Sequence, residues 1–217
     1  MKALISAILG LALAAPAAAA VGVTVEKGNI IVIDANGTRR QLTDKGKDSE
    51  PVLSPDGASV AFTRTGRFTR NLEACATDGG EMRQSELWLA AADGSGAKLL
   101  STTDANEDME KIVCDFLNKQ FDSKSTRLYY ETRAWATSNA VRQVDLKTGA
   151  DAFFAAGNGF WVITCSDNPY LDHLALSQHR YFVQGGSYDW YYLVDPAGKE
   201  VGTFGEEAPT VAEFCGE

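Results

Sequence analysis

The histidines and the nucleophilic side chains are the groups in this chain that could take part in catalysis. Few of them have the spacing of a known catalytic motif. His173 and His179 are the only histidines. Six positions apart on a strand, they would share a face but lie about 20 Å apart, too far to bind one metal ion. Asp172 and Asp167 could orient His173 as a general base, but no G-x-S-x-G or other nucleophile motif accompanies them.

The glycine motifs that bind phosphates and dinucleotides are also missing from the sequence. Gly185-Gly186 has the pattern of a turn. Three aspartates, Asp34, Asp145 and Asp195, recur beside hairpin turns, where their expected role is to accept hydrogen bonds from the turn backbone rather than to bind calcium. The sequence therefore predicts no catalytic residue, no cofactor and no metal site.

Residues 1–20 have the pattern of a cleaved secretory signal peptide. A lysine at position 2 precedes an apolar run of about ten residues, and a stretch of alanines ends at residue 20. This run is too short to span a bilayer. We expect cleavage before Val21, a periplasmic location, and one domain over residues 21–217.

Charge and cysteine content narrow the class of protein further. The formal net charge of −9 argues against nucleic acid or an anionic membrane surface as a partner, and no later stretch is apolar enough to cross a membrane. An even number of cysteines in an exported chain predicts two disulfides. No C-x-x-C zinc spacing is present, three pairings are possible, and buried free thiols are the alternative. The four cysteines are Cys75, Cys114, Cys165 and Cys215.

Two hairpin signals lie in the first third of the chain. Ser54, Pro55, Asp56 and Gly57 stand between short apolar runs, where proline presets φ and glycine supplies the positive φ of a tight turn. Asn36-Gly37 is a second, strong hairpin signal. The sequence around these two turns resembles the WD40-like PD40 repeat of TolB and its propeller relatives. The resemblance lies in the order of its motifs: apolar residues, Asp, Gly, Leu-Thr and then Ser-Pro-Asp-Gly. This resemblance covers residues 29–101 well and the remainder weakly.

Hairpins recur along the rest of the chain at a regular spacing. The turn glycines Gly37, Gly94, Gly149 and Gly198 are about 50 residues apart, a period typical of propeller blades. Hairpins lacking the literal Ser-Pro-Asp-Gly are expected at residues 116–132 and 160–177. Residues 66–85 have no periodicity and predict a long loop.

The expected fold is all-β, a small propeller-like domain of about four antiparallel blades. Residues 208–215 look like the first strand of a blade, and the N-terminal hairpin at 23–43 looks like a blade that lacks its first strands, so the two could form one composite blade. TolB-like propellers usually have six blades. An open arc, or one completed by a second subunit, is therefore the alternative.

Within this repeat scheme the preferred disulfides are Cys75–Cys114, which flank one repeat, and Cys165–Cys215, both on predicted first strands of consecutive blades. Trp135 and Tyr170, which lie in predicted loops, and Tyr188 form a candidate binding surface, because aromatic residues are enriched at interfaces. The neighbouring Trp190 and Tyr192 are expected to pack between blades.

The resemblance implies a scaffold for protein contacts, as TolB contacts partners of the cell envelope. We therefore expect an exported, non-enzymatic binding protein whose partners are envelope proteins. No partner-binding residue transfers from TolB, because no motif here matches one. The alternatives are a hydrolase that uses a propeller face, favoured by a pocket with convergent acid and base groups, and a purely structural accessory protein.

Overall fold

A computed structural model describes residues 20–69, 73–75, 82–210 and 215. The signal peptide predicted over residues 1–20 lies almost wholly outside these residues. Among them, fifteen strands form four antiparallel sheets, which we call blades 1 to 4 in chain order. Blade 1 contains β1 (Ala20–Glu26), β2 (Asn29–Asp34) and β3 (Arg39–Gln41).

The other three blades have four strands each, in simple sequential order. Blade 2 contains β4 (Asp48–Leu53), β5 (Ser59–Thr69), β6 (Met82–Ala91) and β7 (Ala97–Thr102). Blade 3 contains β8 (Leu117–Phe121), β9 (Arg127–Arg133), β10 (Asn139–Asp145) and β11 (Asp151–Gly157). Blade 4 contains β12 (Phe160–Val162), β13 (Leu174–Tyr181), β14 (Ser187–Val194) and β15 (Glu200–Gly205). The predicted all-β architecture of about four blades is confirmed.

The turns form for the chemical reasons that the sequence suggested. In the Ser-Pro-Asp-Gly turn, Asp56 Oδ1 accepts a hydrogen bond from the backbone N–H of Ala58 (3.0 Å) and Ser54 Oγ accepts one from the N–H of Ser59 (2.9 Å). Gly57 has φ +68°, and a Cβ there would lie 2.4 Å from the carbonyl oxygen of Ala20. Only glycine therefore fits this position, where blade 1 meets blade 2.

The three recurrent aspartates each bind their own turn, as predicted. Asp34 Oδ1 accepts from the N–H groups of two residues in the β2–β3 turn, and Asp195 Oδ1 does the same between β14 and β15. Asp145 Oδ1 accepts from Lys147 and Thr148, and these backbone bonds hold the pKa of the Asp145 carboxyl below its usual range. The repeated Asp is thus a turn-forming residue.

Among the described residues, one hydrophobic cluster lies between each pair of consecutive blades, because strands that are apolar on both faces need a neighbour on each side. The cluster between blades 1 and 2 contains Ile30 and Phe62. The cluster between blades 2 and 3 contains Leu87 and Tyr130. The cluster between blades 3 and 4 contains Tyr129 and Leu176. All six side chains are almost completely buried. A fourth, smaller cluster packs Ile112 against Cys75 and Cys114.

Consecutive blades are also joined at one end of the sheets, which we call the corner end because it bears the turns between the first and second strands of blades 2, 3 and 4. The backbone N–H of Ala20 donates to Gly57 O (3.3 Å), that of Asp56 to Ser125 Oγ (3.4 Å), and that of Ser123 to Asp172 Oδ1 (2.7 Å). The start of β1 therefore contacts the corner of blade 2, and the corners of blades 2, 3 and 4 contact one another in chain order.

The predicted composite blade is not seen among the described residues. The sheet of blade 1 takes all its strands from residues 20–41, and residues 208–210 belong to no strand. Residues 211–214 lie outside the part of the chain that the structure describes. The described strands form an open arc, which was the alternative prediction.

Two disulfides are present, Cys75–Cys114 and Cys165–Cys215, with Cα–Cα distances of 5.2 and 5.4 Å. This is the preferred pairing, although Cys165 lies in the loop after β12 and not on a strand. The loop predicted over residues 66–85 also needs correction, because β5 and β6 extend into it from both sides. Cys75 ends a short 3₁₀-helix, Glu73–Cys75, within that segment.

Candidate interaction surface

The two central strands of blade 4 project beyond the rest of their sheet. β12 pairs with β13 only at Leu174–Leu176, and β15 pairs with β14 only from Tyr191 onward. Residues 178–181 and 187–190 pair with each other alone. They form a two-stranded ribbon about four residues, or roughly 13 Å, long.

The tip of this ribbon exposes three consecutive apolar side chains. Tyr181 is 66% exposed, Phe182 54%, and Val183 fully exposed. In this turn the N–H of Phe182 donates to Gly186 O (3.0 Å) and the N–H of Gly185 donates to Phe182 O (3.0 Å), and both Gly185 and Gly186 have positive φ. The two glycines therefore force the chain to reverse immediately after the apolar run.

Trp135 lies beside the ribbon, in the loop between β9 and β10 of blade 3. Its indole is 36% exposed and packs edge-on against Phe153, with 6.0 Å between ring centroids. In the same loop, Thr137 Oγ1 lies 3.4 Å from the hydroxyl of Tyr181. Tyr188 faces the tip from the returning strand, with its ring 4.6 Å from that of Phe182. We call Trp135, Tyr181, Phe182, Val183 and Tyr188 the aromatic surface.

The base of the ribbon carries polar side chains in pairs. His179 Nδ1 lies 2.9 Å from Asp189 Oδ1, directly across the ribbon. Arg180 forms an ion pair with Glu200 of β15, and its guanidinium lies 3.8 Å from the centre of the Tyr192 ring. Residues 181–188 contain no Asp, Glu, Lys, Arg or His. The aromatic surface thus has no charged side chain and borders these paired polar residues.

The structure separates the three residues of the predicted binding surface. Trp135 and Tyr188 lie at the end of the blades opposite the corner end, whereas Tyr170 lies in the β12–β13 loop at the corner end. Tyr170 is 43% exposed and packs edge-on against His173, 5.6 Å away. The tip residues Tyr181, Phe182 and Val183 were missed by the sequence reasoning, although the Gly-Gly turn two residues later was the signal that could have revealed them.

A second polar cluster lies on the first strands of blades 2 and 3. The buried Lys119 Nζ donates to Glu50 Oε2 (2.9 Å), Thr63 Oγ1 (3.0 Å) and Phe116 O (2.6 Å). Burial lowers the pKa of Lys119, against the opposing hydrogen bond and charge of Glu50. All three protons of the ammonium group are used, so the cluster ties the two strands together and leaves no donor for a substrate.

Neither histidine joins a larger group. His173 lies in the loop that precedes β13, and His179 is paired with Asp189 as described above. Over the described ranges, no three His, Cys, Asp or Glu residues converge as metal ligands would. Over the same ranges there is also no helix with the length and apolar character needed to cross a membrane.

No protein-family model matches the chain, and no curated protein matches it in sequence. Several solved propeller structures are similar. Dipeptidyl peptidase 4 of Porphyromonas gingivalis has a TM-score of 0.57 at 15% identity, over 85% of this chain and 31% of that one. The β-propeller domain of the trilobed protease from Pyrococcus furiosus, described as having an open velcro topology, has a TM-score of 0.51 at 17% identity, over 82% and 49%.

TolB from Acinetobacter baumannii is also among the similar structures, with a TM-score of 0.46 at 11% identity, over 80% of this chain and 37% of TolB. The chain thus spans between about a third and a half of the length of these three proteins. The two likenesses with TM-scores above 0.5 show the fold, and the predicted propeller fold is confirmed.

Proposed function

We propose that this propeller is an exported, non-enzymatic binding protein of the cell envelope, and that it contacts a partner protein through the aromatic surface. The observation that carries the proposal is the exposure of Trp135 and the tip of the ribbon beside it. Tyr and Trp side chains provide large, rigid contact areas and dominate the energetics of many interfaces.

The periplasmic location is part of the proposal. Two disulfides fit an oxidising compartment, and the signal-like start of the sequence supplies the route to it. Amino-terminal sequencing of the exported protein is expected to begin within a few residues of Val21. A chain that still starts at Met1 in the membrane fraction would contradict cleavage.

A hydrolase or lyase activity has less support from the geometry. The similar peptidases are much longer than this chain. The one buried cationic group on the first strands, Lys119, has all its protons bonded to protein acceptors. The exposure of Trp135 and of the ribbon tip supports a binding role more than it supports an enzymatic one.

Site-specific photo-crosslinking in living cells tests the binding proposal. A photoreactive phenylalanine at Trp135 or Tyr188 is expected to give a discrete adduct with an envelope protein. The same residue at Tyr170, equally exposed but at the corner end, is the matched control and should give none. Adducts of equal yield from all three positions, or from none, would refute the assignment of the surface.

If an adduct forms, the identified partner allows an affinity measurement. Replacement of Trp135 by Ala is expected to weaken binding by at least about tenfold, the usual cost of truncating an aromatic anchor at the centre of an interface. Tyr170→Ala should leave the affinity within about twofold.

A further inference from the structure

Polarity changes in a fixed order along the ribbon of blade 4. At the tip are the apolar Phe182 and Val183, with the exposed amide side chain of Gln184 beside them in the turn. Tyr181 follows, and Tyr188 lies one residue pair further down, directly opposite Arg180. Arg180 pairs with Glu200 at this level, and the next cross-strand pair is His179 with Asp189.

This order is the same as the order of environments across a lipid surface. Aliphatic and phenyl side chains favour the acyl region, Tyr and Trp favour the level of the headgroups, and ion pairs favour water. β13 ends at Tyr181, and Phe182 and Val183 lie in the turn beyond it. Two residues extend at most roughly 7 Å, which is comparable with the depth of about 5–10 Å to which interfacial apolar groups enter a bilayer.

The charge of the protein decides which kind of lipid surface fits. A formal net charge of −9 opposes approach to anionic headgroups, and the tip itself carries no cation to attract them. A surface with zwitterionic headgroups has no such penalty, and contact with it would depend little on salt.

A second copy of the chain fits the tip less well. The ribbon is convex and two strands wide, so it presents three consecutive side chains. Each partner in a stable protein complex usually buries roughly 800 Å². Two such tips offer each other no concave face, whereas a fluid bilayer needs none.

We propose that the tip of the β13–β14 ribbon inserts Phe182 and Val183 into the surface of a zwitterionic lipid bilayer, with Tyr181 and Tyr188 at the level of the headgroups. This goes beyond the proposed protein contact, and it leaves Trp135, the remaining residue of the aromatic surface, beside the membrane face, where an envelope partner would meet it. The Arg180–Glu200 ion pair at the base of the ribbon sets the depth of insertion.

Flotation of the purified exported protein with phosphatidylcholine vesicles tests the proposal, because these vesicles contain no protein. The wild-type protein is expected to float with the vesicles, with a partition coefficient that stays within about twofold from low to high salt. The double variant Phe182→Ser with Val183→Ser should lower the partition coefficient by at least tenfold, since each buried apolar side chain contributes about a factor of ten.

Two further variants keep the result interpretable. Val183→Asp changes only a fully exposed side chain, so it leaves the fold intact and should abolish flotation. Tyr170→Ser, at the corner end, should float as the wild type does. Thermal unfolding of each variant by circular dichroism confirms that folding is unchanged.

Three outcomes would overturn the proposal. These are wild-type protein that does not float, tip variants that float as well as the wild type, and flotation that requires phosphatidylglycerol in the vesicles. If crosslinks from Val183 reach a protein while flotation fails, the tip occupies a protein pocket, and the proposed protein contact survives without the lipid contact.

Discussion

The ion pair between Asp48 and Arg64 offers a sharp test of what stabilises blade 2. Asp48 begins β4, its side chain is completely buried, and the Arg64 side chain on β5 is 20% exposed. Arg64 Nε lies 2.6 Å from Asp48 Oδ1, and Nη2 lies 3.0 Å from Oδ2, a bidentate arrangement. The Arg64 guanidinium also lies 4.8 Å from the centre of the Trp88 ring. The hydrogen bonds that Arg64 donates to the Asp48 carboxylate raise the pKa of Arg64.

Asp48→Asn keeps the shape of the side chain and removes its charge. One amide oxygen remains to accept from Nε, while the amide NH₂ faces the donor Nη2, so one hydrogen bond becomes a contact between two donors. Breaking a buried pair from one side costs about 3–5 kcal/mol. Because Arg64 keeps some solvent contact and its stacking on Trp88, we expect the lower end, about 3 kcal/mol.

Urea unfolding of the oxidised protein, followed by circular dichroism, measures this loss of unfolding free energy. Glu26→Gln is the matched control, since it removes the carboxylate of an arginine pair, Arg39–Glu26, that is about half exposed on both sides. Exposed pairs contribute about 0–1 kcal/mol. A double-mutant cycle with Arg64→Met should give a coupling of at least about 1.5 kcal/mol.

A loss below about 1 kcal/mol for Asp48→Asn, or additivity of the two single changes, would refute this reasoning. The backbone N–H of Asp48 also donates to Gly28 O (2.8 Å), and this contact is unaffected by the substitution. A large effect therefore reports on the side chain and not on the link between blades 1 and 2.

Three further predictions follow from other contacts. Burial lowers the pKa of Lys119 below its ordinary 10.5. Just below pH 10.5 the unfolded chain therefore binds more protons than the folded one, and the unfolding free energy of the wild type should rise with pH relative to that of Lys119→Met. Parallel pH profiles of the two proteins would count against this. Replacing Cys75 and Cys114 together by serine should cost about 2–5 kcal/mol in urea unfolding, and four free thiols in the denatured, unreduced wild type would show that neither disulfide forms. If residues 208–215 complete blade 1, deletion of residues 209–217 should lower the melting temperature and cause association through the bare edge of β1. Both effects should be larger than those of the control Cys215→Ser. A truncated protein that stays monomeric with an unchanged melting temperature would favour the open arc.

Most of the fold could be predicted from the sequence because its turns are specified locally. Asn36-Gly37 and the Ser54–Gly57 turn combine residues whose backbone preferences and short side chains leave few alternatives to a tight reversal. The apolar residues on both faces of β2 then predicted that each sheet is covered on both sides. These signals depend on neighbours within a few positions, which is why they can be read without the structure.

The candidate surface was harder to predict because exposure depends on where the neighbouring strands stop. Tyr181 and Tyr192 belong to one aromatic run, yet Tyr192 packs in the hydrophobic cluster between blades 3 and 4 while Tyr181 lies beyond the end of β12. Nothing in the local sequence marks where β12 stops. The separation of Tyr170 from Trp135 has a similar origin. Successive loops of an antiparallel sheet alternate between its two ends, so the end at which a loop lies depends on how many strands of the blade precede it.

The corner contacts have a consequence for how the molecule opens. In the part of the chain that the structure describes, each of the three apolar clusters between blades joins consecutive blades, so the free energy of the arc is approximately a sum of blade and interface terms, as in a linear array. Among the described strands, blades 1 and 4 have one such interface each, and blades 2 and 3 have two. Hydrogen exchange should therefore proceed inward from both ends, and the amides of the central strands of blades 2 and 3 should be the last to exchange.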